Sequence, residues 1–235
     1  MTFPTNRGKT FPAEPLTAEE VHRLLAASST RSSSGIRLRA LIGVMYGAGL
    51  RISEALALRP KDVDTQDCTV RVLDGKGGKS RVVGIDPRSC ALLEAWLERR
   101  RSLSLNGRHP IFATYETGKV GRPLSGVYVR RALARLGERA GIDKRVHPHG
   151  LRHSLAFDLA QWGVPTHVIQ AQLGHASLAV TDRYVRHPHA RRRDRRHAEP
   201  RLVTHRVASR SSSGPGEVSC GSCRGRKLGE GVRGE

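Results

Sequence analysis

The stretch HPHGLRHSLAFDLAQWG, residues 147–163, reads as a single helix with chemistry at its start. Pro148 begins it, Leu151, Leu155 and Leu159 recur at fourfold spacing to make an apolar face, and Gly163 stops it as a C′ residue. His149 and Arg152 stand three residues apart, which puts them on one helical face. Two polar side chains thus share one side of the helix start.

Working outward, the same grammar repeats. Upstream, Thr17-Ala-Glu-Glu20 has capping-box spacing and predicts a helix from Ala18 to about Ser28, followed by a Ser/Thr/Arg loop to Ser34. A second helix carries Ile36, Leu38, Leu41, Ile42 and Met45 and ends at Gly47 or Gly49. Arg51 opens a short third helix through Leu58. Between Cys68 and Ile85 the period changes to alternation around Gly75–Gly78, which is a β-hairpin signal. Asp86-Pro87 caps a helix through about Arg101, and Ser125 caps another ending near Gly141. Downstream, short helices are expected over Pro165–Leu173 and Ser177 to about Val185. The fold class is therefore mainly α with a small antiparallel β-sheet, an α+β arrangement without internal repeats.

Composition narrows the partner. The 235 residues carry a formal charge of +20. Residues 1–185 hold 28 Lys+Arg against 16 Asp+Glu, net +12, and residues 186–235 hold 13 against 5, net +8. So basic a chain attracts polyanions, with nucleic acid or an anionic surface as partner, although a solvated basic face is the bland reading. No charged n-region followed by an apolar stretch opens the sequence, and the longest apolar run, Ala40–Leu50, contains three glycines and is too short to span a bilayer. The expectation is a cytoplasmic protein that does not engage a membrane. Four cysteines make no disulfide framework at this length. Cys68 and Cys90 read as packing groups, and Cys220-x-x-Cys223 is one pair where a closed zinc site needs four ligands. No metal and no cofactor are expected.

Five segments matter together: Gly47-Ala-Gly-Leu-Arg51-Ile-Ser-Glu54, Gly75-Lys76-Gly-Gly-Lys79, His149-Gly-Leu-Arg152-His153, Leu173-Gly-His175, and Tyr184. Taken in order, with the words LRISEAL, HGLRHS and LGHAS and the nine-residue step from His175 to Tyr184, the set resembles the tyrosine recombinase or phage integrase family over roughly residues 15–186. The resemblance implies the catalytic domain of the DNA breaking-rejoining enzymes and a site-specific recombinase that cuts and rejoins double-stranded DNA. It assigns attack on phosphorus to Tyr184, leaving a 3′-phosphotyrosyl link and a free 5′-hydroxyl, so that rejoining needs no nucleotide cofactor. It also implies a homo-oligomer on DNA, a tetrameric synapse.

The residue types suit that chemistry. Cleaving a phosphodiester without a metal requires a nucleophile, a proton donor for the departing sugar oxygen and fixed positive charge on the non-bridging oxygens. Arg51 and Arg152 would clamp the phosphate, since guanidinium is a planar fork that stays charged. The family's pattern makes His149 a general acid or base and His175 a hydrogen-bond donor to the transition state; either imidazole alone reads equally as structural. Lys76, on the hairpin turn, takes the role of general acid, with Lys79 as competitor if the turn shifts by a few residues. Glu54, three after Arg51, orients that guanidinium or a neighbour, or forms a plain surface salt bridge. His147 and His153 are assigned to packing.

The expected layout is an N-terminal extension over residues 1–14, the catalytic domain over 15–186 and a basic, disordered tail over 187–235. Complete family members carry a core-binding domain ahead of the catalytic one, and only about fifteen residues precede the first helix here. Two rival readings follow: a truncated integrase that binds DNA without cutting it, and a type IB topoisomerase, which shares fold and mechanism but fits the flanking words less well.

Overall fold

Side-chain caps set where most helices begin, among the residues 14–73 and 80–174 that the computed structural model describes. Thr17 accepts the Glu20 N–H at 3.2 Å and donates its own N–H to the Glu20 carboxylate at 2.6 Å, which closes the first turn of α1 (Ala18–Ala26). Ser32 does the same one-sidedly for α2 (Ser33–Gly47), so two serines assigned to the preceding loop are helical. After α3 (Ile52–Ala57), Pro60–Asp62 forms a 3-10 turn into β1 (Val63–Asp64), β2 (Thr69–Leu73) and β3 (Ser80–Gly84). Asp86 accepts the Arg88 and Ser89 N–H groups, both at 3.1 Å, to start α4 (Pro87–Arg101). Ser125 caps α5 (Gly126–Arg139), and His147, expected only to pack, caps α6 (Pro148–Gln161) by accepting the Gly150 N–H on Nδ1 at 3.1 Å. Gly174, with φ +64°, ends α7 (Thr166–Leu173) in the left-handed conformation that glycine adopts without a Cβ penalty.

The sheet is antiparallel in the order β1-β2-β3. Its register pairs Val70 with Val83 and Val72 with Arg81. Alternation therefore turns Val70, Val72 and Val83 into the core and leaves Arg71, Leu73 and Val82 outside, while Arg81 shares the inward side two residues from Val83. The sequence predicts only the β2-β3 hairpin, because a two-residue strand such as β1 is too short to show a period.

At the centre lies α2, with Leu41, Ile42, Val44 and Met45 fully enclosed. Gly43 lets α4 come close: a Cβ there would stand 3.3 Å from the Ser89 side chain. Trp96 of α4 is buried and donates its indole N–H to the Ile111 carbonyl at 2.8 Å, as a buried indole requires. Cys68 and Cys90, far apart in sequence, meet beside the Thr65 carbonyl at 3.8 and 3.6 Å, and burial together with the neighbouring thiol pushes Cys90 up to about 12. They are packing groups, as expected. A smaller apolar cluster of Leu155, Ala156, Leu159, Ile169 and Leu173 seats α7 on α6. That packing brings the C-terminal end of α7 against the start of α3.

The mainly helical fold with one small antiparallel sheet is thus the one the sequence predicts. Among the described residues no helix is long and apolar enough to cross a membrane. The hairpin turn with Lys76 and Lys79, His175, the helix expected over 177–185 with Tyr184, the arginine run and Cys220/Cys223 lie outside the described residues.

Candidate functional site

Arg51 sits where α2 gives way to α3, and the route there depends on Gly49. Its φ of +69° turns the chain, and a Cβ would approach Leu173 Cδ2 to 2.6 Å and Leu155 Cδ2 to 2.8 Å, so the backbone passes directly against α6 and α7. Arg51 is the N-cap residue of α3, and Glu54 reaches back to accept its backbone N–H at 2.8 Å and its Nη1 at 2.7 Å. The other end of the guanidinium, Nη2, donates to the Gly174 carbonyl at 3.0 Å. The Arg51 side chain is 41% exposed, so part of it still faces solvent.

Arg152 comes from α6 and is only 2% exposed. Nη1 donates to the Gly49 carbonyl and Nη2 to the Leu173 carbonyl, both at 2.6 Å, and Nη1 stands 3.9 Å from Glu54. The two arginines singled out in the sequence thus converge on Glu54 and on the last carbonyls of α7. Burial, then the Arg51 charge, lowers Arg152 to about 10, with Glu54 acting the other way; it remains protonated near neutrality.

Arg81, which the sequence reading does not single out, completes the group. It binds Glu54 with both prongs, Nη1 to Oε1 at 3.1 Å and Nη2 to Oε2 at 2.9 Å, and reaches the Leu173 carbonyl at 3.3 Å. The missed signal was parity: Arg81 occupies an inward position of β3, where a strand buries valines, and an inward arginine needs a buried partner. Glu54 is that partner, and at 8% side-chain exposure it is not a surface ion pair. Burial alone would raise its carboxyl, but hydrogen bonds from Arg81 and from the Arg51 backbone hold it below the ordinary carboxylate range.

His149 lies at the exposed start of α6. Although the residue is exposed, partial desolvation of its ring, followed by the charges of Arg152 and Arg51, holds its imidazole below the usual histidine value. It is thus neutral at neutral pH and able to accept a proton. His153, assigned to packing, meets it edge to face at 3.9 Å between ring centres. Three guanidiniums around one carboxylate leave a net charge of about +2 in a partly buried cluster, an arrangement chemically suited to an anion. Among the described residues no group of three or more His, Cys, Asp and Glu is placed to hold a metal ion.

Of the six residues singled out, the structure brings together Arg51, Arg152 and His149, while Lys76, His175 and Tyr184 lie outside the described residues. Comparison with known proteins identifies the family. The chain is 36% identical over 188 residues to tyrosine recombinase XerD of Bifidobacterium longum, covering 76% of this chain and 59% of the relative. It is 37% identical over 177 residues to tyrosine recombinase XerC 2 of Ralstonia nicotianae, covering 75% and 50%. The chain thus spans about half to six-tenths of the length of these relatives. Among solved structures, the XerA recombinase superposes with a TM-score of 0.66 at 31% identity over 79% of this chain and 65% of that one. The XerH site-specific recombinase bound to its difH substrate gives 0.62 at 29% identity, over 74% and 50%. The family profile described as the phage integrase family matches residues 14–191, and the chain belongs to that family.

Proposed function

We propose that this chain is the catalytic part of a tyrosine-type site-specific recombinase that cuts and rejoins double-stranded DNA. The observation that carries the reading is the convergence of Arg51 and Arg152 on the Leu173 and Gly174 carbonyls, one peptide bond ahead of His175. Two guanidiniums that lock onto the α7 end are held in a fixed attitude, and the Arg51 face left open to solvent offers its charge to a phosphate without reorganisation.

In the proposed reaction the Tyr184 oxygen attacks phosphorus and the bond from phosphorus to the 5′ oxygen breaks. His149, its imidazole held below the usual histidine value by partial desolvation and the arginines beside it, accepts the tyrosine proton, and Lys76 supplies one to the departing 5′ oxygen. Arg51 and Arg152 hold the non-bridging oxygens, and His175 adds a hydrogen bond in the transition state. A second hydroxyl then attacks the phosphotyrosine and restores the diester, so the energy of the broken bond is kept and no cofactor is consumed. Strand exchange needs several active sites on one synapse, which fits a homo-oligomer, a tetramer, assembled on DNA in the cytoplasm. Residues 15–186 would be the domain that does this, and residues 187–235 a basic extension.

The test is trapping. A nicked duplex that loses its short 5′ strand after cleavage should accumulate a protein–DNA adduct stable to denaturation with the wild-type chain and none with Tyr184→Phe, at equal DNA affinity. Because the charge on phosphate is met by guanidinium, EDTA should leave the adduct yield unchanged. Metal-dependent cleavage, or an adduct that survives Tyr184→Phe, would refute the reading.

A further inference from the structure

We propose that Arg81 is a positioning residue for strand cleavage: it neutralises Glu54, so that the charges of Arg51 and Arg152 remain available to a DNA phosphate. The inference rests on the reading of those two arginines as the phosphate clamp. Arg81 gives Glu54 a two-pronged pair at 3.1 and 2.9 Å, whereas Arg51 gives it one side-chain bond at 2.7 Å and Arg152 stands at 3.9 Å. The fork matches the two carboxylate oxygens, the arrangement in which arginine binds a carboxylate most strongly.

Glu54 is too buried for water to screen it, so its charge must be met by a guanidinium. With Arg81 present, three positive charges face one negative and +2 is left over. Without it +1 is left, and both clamp arginines turn toward the carboxylate instead of the phosphate. Glu54 then competes with the substrate for the groups meant to bind it.

The same guanidinium links two catalytic segments. It lies flat against Gly174, where a Cβ would meet its Cζ at 2.7 Å and its Nε at 2.8 Å, and it reaches the Leu173 carbonyl. Arg81 also belongs to β3, which begins four residues after Lys76 in the sequence. The residue therefore ties the hairpin to the end of α7, next to His175.

A charge cycle separates this role from mere packing. Arg81→Met, Glu54→Gln and the double variant are compared in the full chain, by single-turnover cleavage of the nicked duplex at saturating protein and by NMR titration of His149. Arg81→Met should slow cleavage by about tenfold to a hundredfold with DNA affinity nearly unchanged, as loss of transition-state charge stabilisation does. The double variant should recover to within about fivefold of Glu54→Gln alone, because removing both charges restores +2. Arg81→Lys, which keeps charge but not the fork, should fall between wild type and Arg81→Met. His149, which feels the charges of Arg51 and Arg152 and meets His153 edge to face, should titrate higher in Arg81→Met and return toward the wild-type value in the double variant. A double variant no faster than Arg81→Met, with melting temperature falling in step and His149 unmoved, would overturn the proposal. If the wild-type chain forms no adduct, the clamp reading fails on its own, and the His149 titration still decides whether Arg81 sets the charge of the pocket.

Discussion

Arg152 is held through both terminal nitrogens of its guanidinium. Its two terminal nitrogens satisfy the Gly49 and Leu173 carbonyls, and if the guanidinium leaves, the Leu173 oxygen keeps only the longer contact from Arg81 at 3.3 Å. Arg152→Ala should therefore cost about 1–3 kcal/mol per stranded carbonyl, read as a lower melting temperature, and should slow adduct formation by roughly a hundredfold or more. The informative comparison is Arg152→Lys. A lysine keeps the charge but supplies no fork to bridge two carbonyls, so it should recover part of the stability and little of the rate. Full activity in Arg152→Lys would mean that charge alone, without the guanidinium's geometry, does the work. His149 and Arg152 were legible from the sequence through the resemblance carried by HGLRHS, with helical spacing adding only that the two share a face, and the same arithmetic placed Glu54 beside Arg51. Arg81 was not, since its importance depends on the register of a hairpin and on a partner 27 residues away.

Among elements, helix boundaries were legible wherever a capping residue announced them, as at Thr17, Asp86 and Ser125. What local sequence could not give was which ends come together, because that is decided by packing: Gly49 against Leu155 and Leu173, and α7 on α6 through Leu159 and Ile169. A polar tie joins α6 to α2 as well. Tyr46 donates its hydroxyl proton to Asp158 at 2.6 Å, and burial, opposed in part by that bond, raises the Asp158 carboxyl to about 6. A carboxyl whose folded pKa lies above its unfolded value near 3.8 favours the fold most at low pH, and that contribution is lost as pH rises through about 6. Glu20 and Glu54, held below their ordinary values, act in the opposite sense as pH falls toward 4. The expected outcome is thus a difference: relative to wild type, Asp158→Asn should gain melting temperature on going from pH 4.5 to pH 7. Parallel curves for the two proteins would show that Asp158 titrates as it does in the unfolded chain.

For the whole molecule, charge and length set what the chain does with DNA. A net +20 favours polyanions in general, and residues 186–235 contribute +8 of it. Affinity should fall by orders of magnitude between low and physiological salt, with little preference among sequences. Truncation after Arg186 should weaken binding and flatten the salt slope by about one counterion per arginine engaged, while the adduct on a nicked duplex persists. An unchanged slope would show that the extension takes no part in binding. The stretch that matches covers 59% and 50% of two of the relatives, so efficient strand exchange is not expected from residues 15–186 acting by themselves. The central claim, that a tyrosine beyond the arginine cluster becomes joined to DNA, is tested most directly by digesting the trapped adduct with nuclease and protease and locating the nucleotide-bearing peptide by mass spectrometry. The account predicts a single modified residue, Tyr184, linked to a 3′-phosphate. A nucleotide found on Tyr46, Tyr115, Tyr128 or a serine, or linked through a 5′-phosphate, would contradict it.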